Sequence, residues 1–144
     1  MMATIVLYAT KTGAVKQCAN VLAEELPGST LCNIETEKPD LAAFDSVIVG
    51  AGVRDGKIYK PIRDYIKKNK DELLGKRTGY FICNEKPKKT EEIIEANFSE
   101  DLRQAAVGIE SFGGYKSYAA PAEGADQLKG IFVDRIKAFS DHFK

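Results

Sequence analysis

Apolar runs of strand length alternate along this chain with longer stretches in which apolar residues recur at helical spacing. The first run, Thr4–Ala9, is continuously apolar and rich in β-branched residues, which is typical of a strand buried on both faces. Four later runs have a similar length. The predicted strands are therefore Thr4–Ala9, Ser29–Ile34, Ser46–Gly50, Gly79–Cys83 and Val107–Phe112.

The stretches between these runs carry the 3.6-residue period of amphipathic helices. Lys16–Leu26 has an apolar face and is followed by Pro27 and Gly28, which end a helix. Further helices are predicted over residues 59–72, 90–106 and 126–143. Only Glu35–Phe44 joins the second and third strands, so we expect one short helical turn there.

Alternating strands and helices predict a parallel sheet with helices on both faces, because parallel strands need a crossover between them. Right-handed crossovers and five strands favour a doubly wound sheet in the order 2-1-3-4-5. The expectation is an α/β three-layer sandwich. Its 144 residues form one domain, residues 1–144.

Composition and charge exclude several classes of protein. Apolar residues make up 44 %, which suffices for a core, and 21 basic residues balance 21 acidic ones, so a generic nucleic-acid binder is not expected. No apolar run is long enough to span a membrane, and the first residues do not resemble a signal peptide. We therefore expect a cytoplasmic protein.

Cysteine and histidine usage argues against a metal site. The three cysteines are widely spaced and His142 is the single histidine, so no zinc-type ligand spacing exists. Buried thiols in a reducing compartment are the expectation. Residues 57–90 hold eleven Lys or Arg against four Asp or Glu, which indicates either a solvated helix face or a docking surface for an acidic partner or an anionic membrane.

A ligand of such a sheet binds beyond the carboxyl ends of the strands, at the point where the strand order reverses. For the order 2-1-3-4-5 that point lies between the first and third strands. The segments Ala9–Val15 and Gly50–Ile58 follow these two strands, and the segment beginning at Asn84 follows the fourth. The sequence predicts that these three segments form the site.

The first segment suits an anion. Thr10 and Thr12 supply hydroxyls, Gly13 keeps the backbone accessible, and a helix begins there, whose first N–H groups have no acceptor within the helix. The same features occur in an ordinary capped turn between strand and helix.

The second segment has three glycines in seven residues, which allow backbone to approach something flat or bulky. It fails the dinucleotide fingerprint because Asp55 stands where the last glycine is required. A P-loop motif, the acidic residues of a phosphoryl-accepting receiver and a C-x-x-x-x-x-R phosphatase loop are also missing.

The T-x-T-G sequence of the first segment, followed by the glycine-rich segment after the third strand, resembles the flavodoxin family over essentially the whole chain. Thr10, Thr12 and Gly13 match the family's [ST]-x-T-G-x-T phosphate loop, and Val15 replaces its last threonine. The pattern G-A-x-[IV]-R-x-G at 50–56 is most similar to the branch that includes menaquinone-dependent protoporphyrinogen oxidase. That oxidase has a long insertion after its fifth strand, where this chain has only Gly113–Gly124.

The resemblance implies non-covalent binding of FMN, whose ring carries the electrons while main-chain and side-chain groups position it. It implies no catalytic side chain and no metal. The implied cofactor-binding residues are Thr10, Lys11, Thr12, Gly13, Ala14, Val15, Ala51, Gly52, Val53, Arg54, Asp55, Gly56, Asn84, Glu85 and Lys86.

Three functions remain open from the sequence. The first is an FMN-binding electron-transfer protein whose partner is a redox protein or a quinone-type acceptor. The second is a flavoenzyme of the protoporphyrinogen-oxidase type, an FMN-dependent oxidoreductase. The third is a flavin-free protein-interaction module that has kept the fold, because fold alone does not determine function.

Overall fold

A computed structural model describes residues 3–9, 13–54, 56–83, 90–112 and 133–143. Its sheet has five parallel strands in the order β2-β1-β3-β5-β6, and the two-residue β4 pairs antiparallel with β3. The strands are β1 (Thr4–Ala9), β2 (Thr30–Asn33), β3 (Ser46–Arg54), β4 (Lys57–Ile58), β5 (Arg77–Cys83) and β6 (Ala106–Ser111).

Helices cover both faces of the sheet. A single 3-10 turn, Leu41–Ala43, connects β2 and β3, and a second one, Asp141–Phe143, follows the last helix. The α-helices are α1 (Gly13–Glu25), α2 (Lys60–Lys68), α3 (Lys70–Leu74), α4 (Thr90–Asn97), α5 (Glu100–Ala105) and α6 (Val133–Ser140).

The predicted α/β class and order of the five parallel strands are confirmed. Among the described residues the sheet nevertheless has six strands rather than five, because β3 continues to Arg54 and pairs with β4. The short turn at Leu41–Ala43 is also confirmed; the Asp40 side chain accepts a hydrogen bond from the Ala42 amide and caps it.

Two predicted helices are each divided in two. Asn69, with φ −109° and ψ 16°, separates α2 from α3. Phe98 and the extended Ser99 separate α4 from α5. Phe98 is 2 % exposed and its ring lies 5.0 Å from that of Tyr80, so the break turns an aromatic side chain into the core. Tertiary packing outweighs helical periodicity here.

The core has two parts, one on each face of the sheet. Alternate residues of the central strands point to opposite faces, as strand geometry requires. Side chains from α2 to α5 pack against one face, and those from α1 and α6 pack against the other. The α1–α6 face contains an aromatic series in which Phe81 stacks on Phe112 at 4.9 Å and Phe112 meets Phe139 edge-on at 5.3 Å.

The reversal of strand order lies between β1 and β3, as the sequence predicts. β1 and β3 are paired along the whole of β1. The first pair is Thr4 with Ser46 and the last is Ala9 with Ala51. Beyond that last pair β1 ends, whereas β3 continues for three more residues. The carboxyl ends of β1, β3 and β5 therefore share one edge, which is where the candidate site lies.

Candidate functional site

The first wall of the candidate site is the start of α1. The helix begins at Gly13, four residues after β1 ends at Ala9, so the N–H groups of Gly13 and Ala14 belong to its first turn. First-turn N–H groups have no acceptor within a helix and carry the positive end of the helix dipole. This backbone can bind an anion at the carboxyl edge of the sheet.

Val15, which replaces a threonine of the resembled motif, has a buried side chain. It is 0 % exposed and belongs to the apolar cluster beneath α1. Its Cγ2 would lie 3.5 Å from a Cβ placed on Gly52, which is ordinary van der Waals contact. A valine here anchors α1 to β3, and only the backbone of Val15 remains to face an anion.

The second wall is a β-hairpin rather than an irregular loop. Val53 pairs with Ile58 and Arg54 pairs with Lys57, so β3 and β4 form a hairpin that has Gly56 in its turn. Gly56 has φ +78°, a conformation that glycine adopts at little cost. The Gly52 carbonyl accepts a hydrogen bond from the Tyr59 N–H at 2.9 Å and fixes the hairpin base.

Gly50 has a different role from the one expected of the glycine-rich segment. Gly50 lies in β3 between β1 and β5, opposite Tyr8 on one side and Phe81 on the other. The flat group that Gly50 admits is the ring of Phe81, which would overlap a Cβ at this position. The glycine-rich pattern thus reflects internal packing at Gly50 and a turn at Gly56.

Asn97, which sequence reasoning did not single out, joins α4 to the hairpin. Its Nδ2 donates to the Gly56 carbonyl at 2.8 Å, and its Oδ1 accepts from the Ile58 N–H at 3.1 Å. These partners lie about 40 residues away in the chain, so no local sequence motif predicts the contacts. Only the tertiary structure brings the three residues together.

A second contact joins the hairpin to the segment after β2. The Tyr59 hydroxyl donates to Glu35 Oε2 at 3.2 Å. Burial raises the pKa of the Tyr59 phenol, and the Glu35 carboxylate adds to the shift through its charge and its hydrogen bond. Lys57 in β4 is exposed, so its side chain contributes a positive charge to the surface of the hairpin.

Two buried thiols meet between α1 and the end of β5. The Cys83 thiol donates to Cys18 Sγ at 3.4 Å, and the two residues are 6 % and 0 % exposed. The hydrogen bond with Cys18 and burial raise the pKa of the Cys83 thiol. The third cysteine, Cys32, is also buried, and all three are free, which confirms the expectation of buried thiols.

Part of the predicted site lies outside the described residues. Thr10, Lys11 and Thr12 of the first segment and Asp55 of the second belong to this part, as does the whole third segment with Asn84, Glu85 and Lys86. The backbone of Arg54 is described as the end of β3, without its side chain. Gly13, Ala14, Val15, Ala51, Gly52, Val53 and Gly56 are the described members of the set, and β1–β3 pairing places their two segments at one edge.

Two absences concern the described part of the chain alone. Within it, His, Cys, Asp and Glu residues form no group that could hold a metal ion. None of its helices combines the length and apolar character that a membrane span requires.

A family model described as "Flavodoxin domain" matches residues 5–120. The match begins within β1 and includes all six strands together with α1 to α5. Both described walls of the candidate site therefore lie inside the matched region.

Solved structures support the same architecture. A short-chain flavodoxin associated with a PDU bacterial microcompartment is 20 % identical, with a TM-score of 0.68 over 99 % of this chain and 96 % of that one. A flavoprotein from Lactobacillus acidophilus in complex with FMN is 15 % identical, with a TM-score of 0.63 over 77 % and 93 %. A Fusobacterium nucleatum flavodoxin bound to FMN is 13 % identical, with a TM-score of 0.61 over 99 % and 97 %. These likenesses establish the fold.

Among curated proteins, the protoporphyrinogen IX dehydrogenase (quinone) of Escherichia coli strain K12 is 26 % identical over 95 residues. The matched stretch covers 62 % of this chain and 52 % of the dehydrogenase. The chain thus matches about half the length of these relatives.

Proposed function

This chain belongs to the flavodoxin domain family, and on that premise we propose that it binds FMN non-covalently and passes electrons to a redox protein or a quinone-type acceptor. The observation that carries the proposal is the start of α1 at the reversal of strand order. There the first-turn N–H groups of Gly13 and Ala14 lie beside the edge where Ala9 pairs with Ala51.

Residues 10–15 would hold the phosphate of FMN. Main-chain N–H groups, two threonine hydroxyls and the Lys11 cation are donors that suit a dianion. The helix dipole contributes about 0.3–1 kcal/mol at an exposed site, so the hydrogen bonds supply most of the affinity.

The ring would lie against the hairpin, with residues Ala51–Gly56 on one side and Asn84, Glu85 and Lys86 on the other. FMN supplies the electron-carrying chemistry when bound. The protein's task is to position the ring and set the polarity around it, so no side chain acts as nucleophile or general base. The surroundings of the ring would be cationic because they include Arg54, Lys57 and Lys86. Asp55 would supply the opposing negative charge.

Fluorescence titration with FMN tests the proposal. Binding to the wild type should quench flavin emission, and Gly13→Glu should abolish or strongly weaken binding because it places a carboxylate where the phosphate would lie. Gly75→Glu is the matched control, since Gly75 ends α3 away from the site and has space for a Cβ. Absence of quenching by the wild type would leave the flavin-free interaction module as the surviving reading.

A second candidate is an oxidoreductase of the protoporphyrinogen-oxidase type, which the 26 % identity to the E. coli dehydrogenase favours. The half-length match argues against it, and so does the short connection, Gly113–Gly124, that the sequence predicts after the fifth strand. Turnover of a porphyrinogen with a quinone acceptor by the FMN-loaded protein would establish this activity. FMN binding without such turnover would leave electron transfer as the function. The free cysteines agree with the cytoplasm as the proposed compartment.

A further inference from the structure

The Asn97 side chain holds two elements together through both ends of its amide. Nδ2 donates to the Gly56 carbonyl and to the Ile93 carbonyl, each at 2.8 Å, while Oδ1 accepts from the Ile58 N–H at 3.1 Å. A carbonyl can only accept and an N–H can only donate, so these partners fix the orientation of the amide. One side chain therefore links the last turn of α4 to the hairpin turn and to β4.

An amide of this length is required for all three bonds. Aspartate would keep an acceptor for the Ile58 N–H but would lose both donors, and alanine would lose every contact. The linked hairpin needs such support because β4 has only two residues and isolated short hairpins are marginally stable.

The linked elements belong to the proposed flavin site. Gly56 lies in the hairpin turn, and in the sequence α4 follows the segment that contains Asn84 and Lys86. A change in the contact between α4 and the hairpin would therefore move the hairpin wall of the proposed site. Asn97 itself belongs to neither wall.

We propose that Asn97 is a positioning residue for the flavin ring, because its hydrogen bonds to Gly56 and Ile58 hold the hairpin against α4. The inference rests on the proposed FMN binding and adds to it the residue that sets the geometry of the ring site.

Asn69 provides a matched control. It also ends a helix, and its Nδ2 donates to the carbonyl four residues earlier, that of Tyr65, at 2.9 Å, as that of Asn97 does to Ile93. The two side chains thus share their local bond to the helix. The contact with the hairpin belongs to Asn97.

The experiment compares wild type, Asn97→Ala, Asn97→Asp and Asn69→Ala by FMN dissociation constant, midpoint potential of the bound flavin and hydrogen exchange at the Ile58 amide. Asn97→Ala should weaken FMN about 3- to 10-fold, since a net hydrogen bond corresponds to roughly that factor. It should also shift the midpoint potential and expose the Ile58 amide to exchange. Asn97→Asp should weaken FMN while keeping the Ile58 amide protected, and it replaces Asn97→Ala if the latter does not fold.

The outcomes separate this inference from the proposed function. Asn69→Ala should lower stability without moving the FMN affinity or the midpoint potential. Equal dissociation constants and potentials in wild type and both Asn97 variants would overturn the positioning role and leave FMN binding intact. Equal effects of Asn69→Ala and Asn97→Ala would likewise overturn it. A wild type that does not bind FMN would overturn the proposed function and this inference with it.

Discussion

The ring of Phe81 occupies the position that a Cβ on Gly50 would need. The two residues are direct neighbours in the β3–β5 ladder, and the ring leans across the strand over the bare glycine. Phe81 is fully buried and stacks on Phe112, whose ring centroid lies 4.9 Å away. The absence of a side chain at Gly50 is thus part of the aromatic packing beneath α1 and α6.

Replacing Gly50 by alanine should destabilise the protein by about 1–3 kcal/mol, the usual cost of overpacking a core. The free energy of unfolding, measured by urea denaturation, checks this. Gly75→Ala is the control: its nearest neighbour would be 3.6 Å from the new Cβ, so little change is expected. Adding Phe81→Leu to Gly50→Ala should recover part of the loss, and strict additivity of the two changes would refute the steric explanation.

Two glycines with positive φ allow stability to be separated from flavin affinity. Gly56 at +78° and Gly28 at +87° both have open space for a Cβ, so alanine costs each of them roughly 1–2 kcal/mol in backbone conformation. Gly28 follows α1, whereas Gly56 lies in the hairpin of the proposed ring site. We expect similar losses of thermal stability from Gly56→Ala and Gly28→Ala, with weakened FMN binding in Gly56→Ala alone. An equal loss of FMN affinity in both variants would contradict the proposed position of the flavin ring at the hairpin.

Asp101 should make stability depend on pH in the acid range. Its carboxylate pairs with Lys70 Nζ at 2.9 Å and accepts hydrogen bonds from Ser99 and from the Leu102 N–H. The hydrogen bonds from Lys70 and Ser99 are the largest causes that lower the pKa of Asp101 from 3.8 to about 2. Because the folded-state pKa is depressed, the contribution is complete above pH 4 and is lost as the pH falls toward 2.

The measurement is the melting temperature of wild type and Asp101→Asn between pH 2 and pH 7. The variant should melt lower than wild type at pH 5–7, and the difference should shrink as the pH approaches 2. Asp64→Asn is a useful control, because Asp64 forms an exposed pair with Lys60 within α2 and joins no separate elements. A wild-type advantage that stays constant down to pH 2 would contradict the assigned pKa direction.

The three cysteines should react slowly with a thiol reagent in the native protein. Hydrogen bonding to Cys18 and burial raise the pKa of Cys83, and burial with the charge of Glu37 raises that of Cys32. The thiolate is the reactive form, so both effects oppose modification. Native thiols should react on the order of 100-fold more slowly than in the unfolded chain, through local opening. Rapid native labelling at neutral pH would disprove this burial; denaturation should release all three thiols.

The edge of the sheet that carries the candidate site could be predicted from the sequence, although the contacts within the candidate site could not. The predicted strands, together with the rule that ligands bind where the strand order reverses, put the first two segments at one edge of the sheet. The pairing of Ala9 in β1 with Ala51 in β3 agrees with this prediction. The hairpin was missed because β3 was expected to end at Gly50. The sequence alone does not distinguish a glycine in a strand from a glycine in a loop, because the difference depends on which strand pairs with it.

The sequence by itself determined the layers of this protein, because a two-residue or 3.6-residue apolar period allows few ways of burying apolar surface. It also determined that β1 and β3 lie side by side and end at the same edge of the sheet. Only the tertiary structure decided that Gly50 makes room for Phe81 and that Asn97 bonds to Gly56 and Ile58. Such contacts join residues about 30 to 40 positions apart, and their distances depend on how the layers pack rather than on any local pattern.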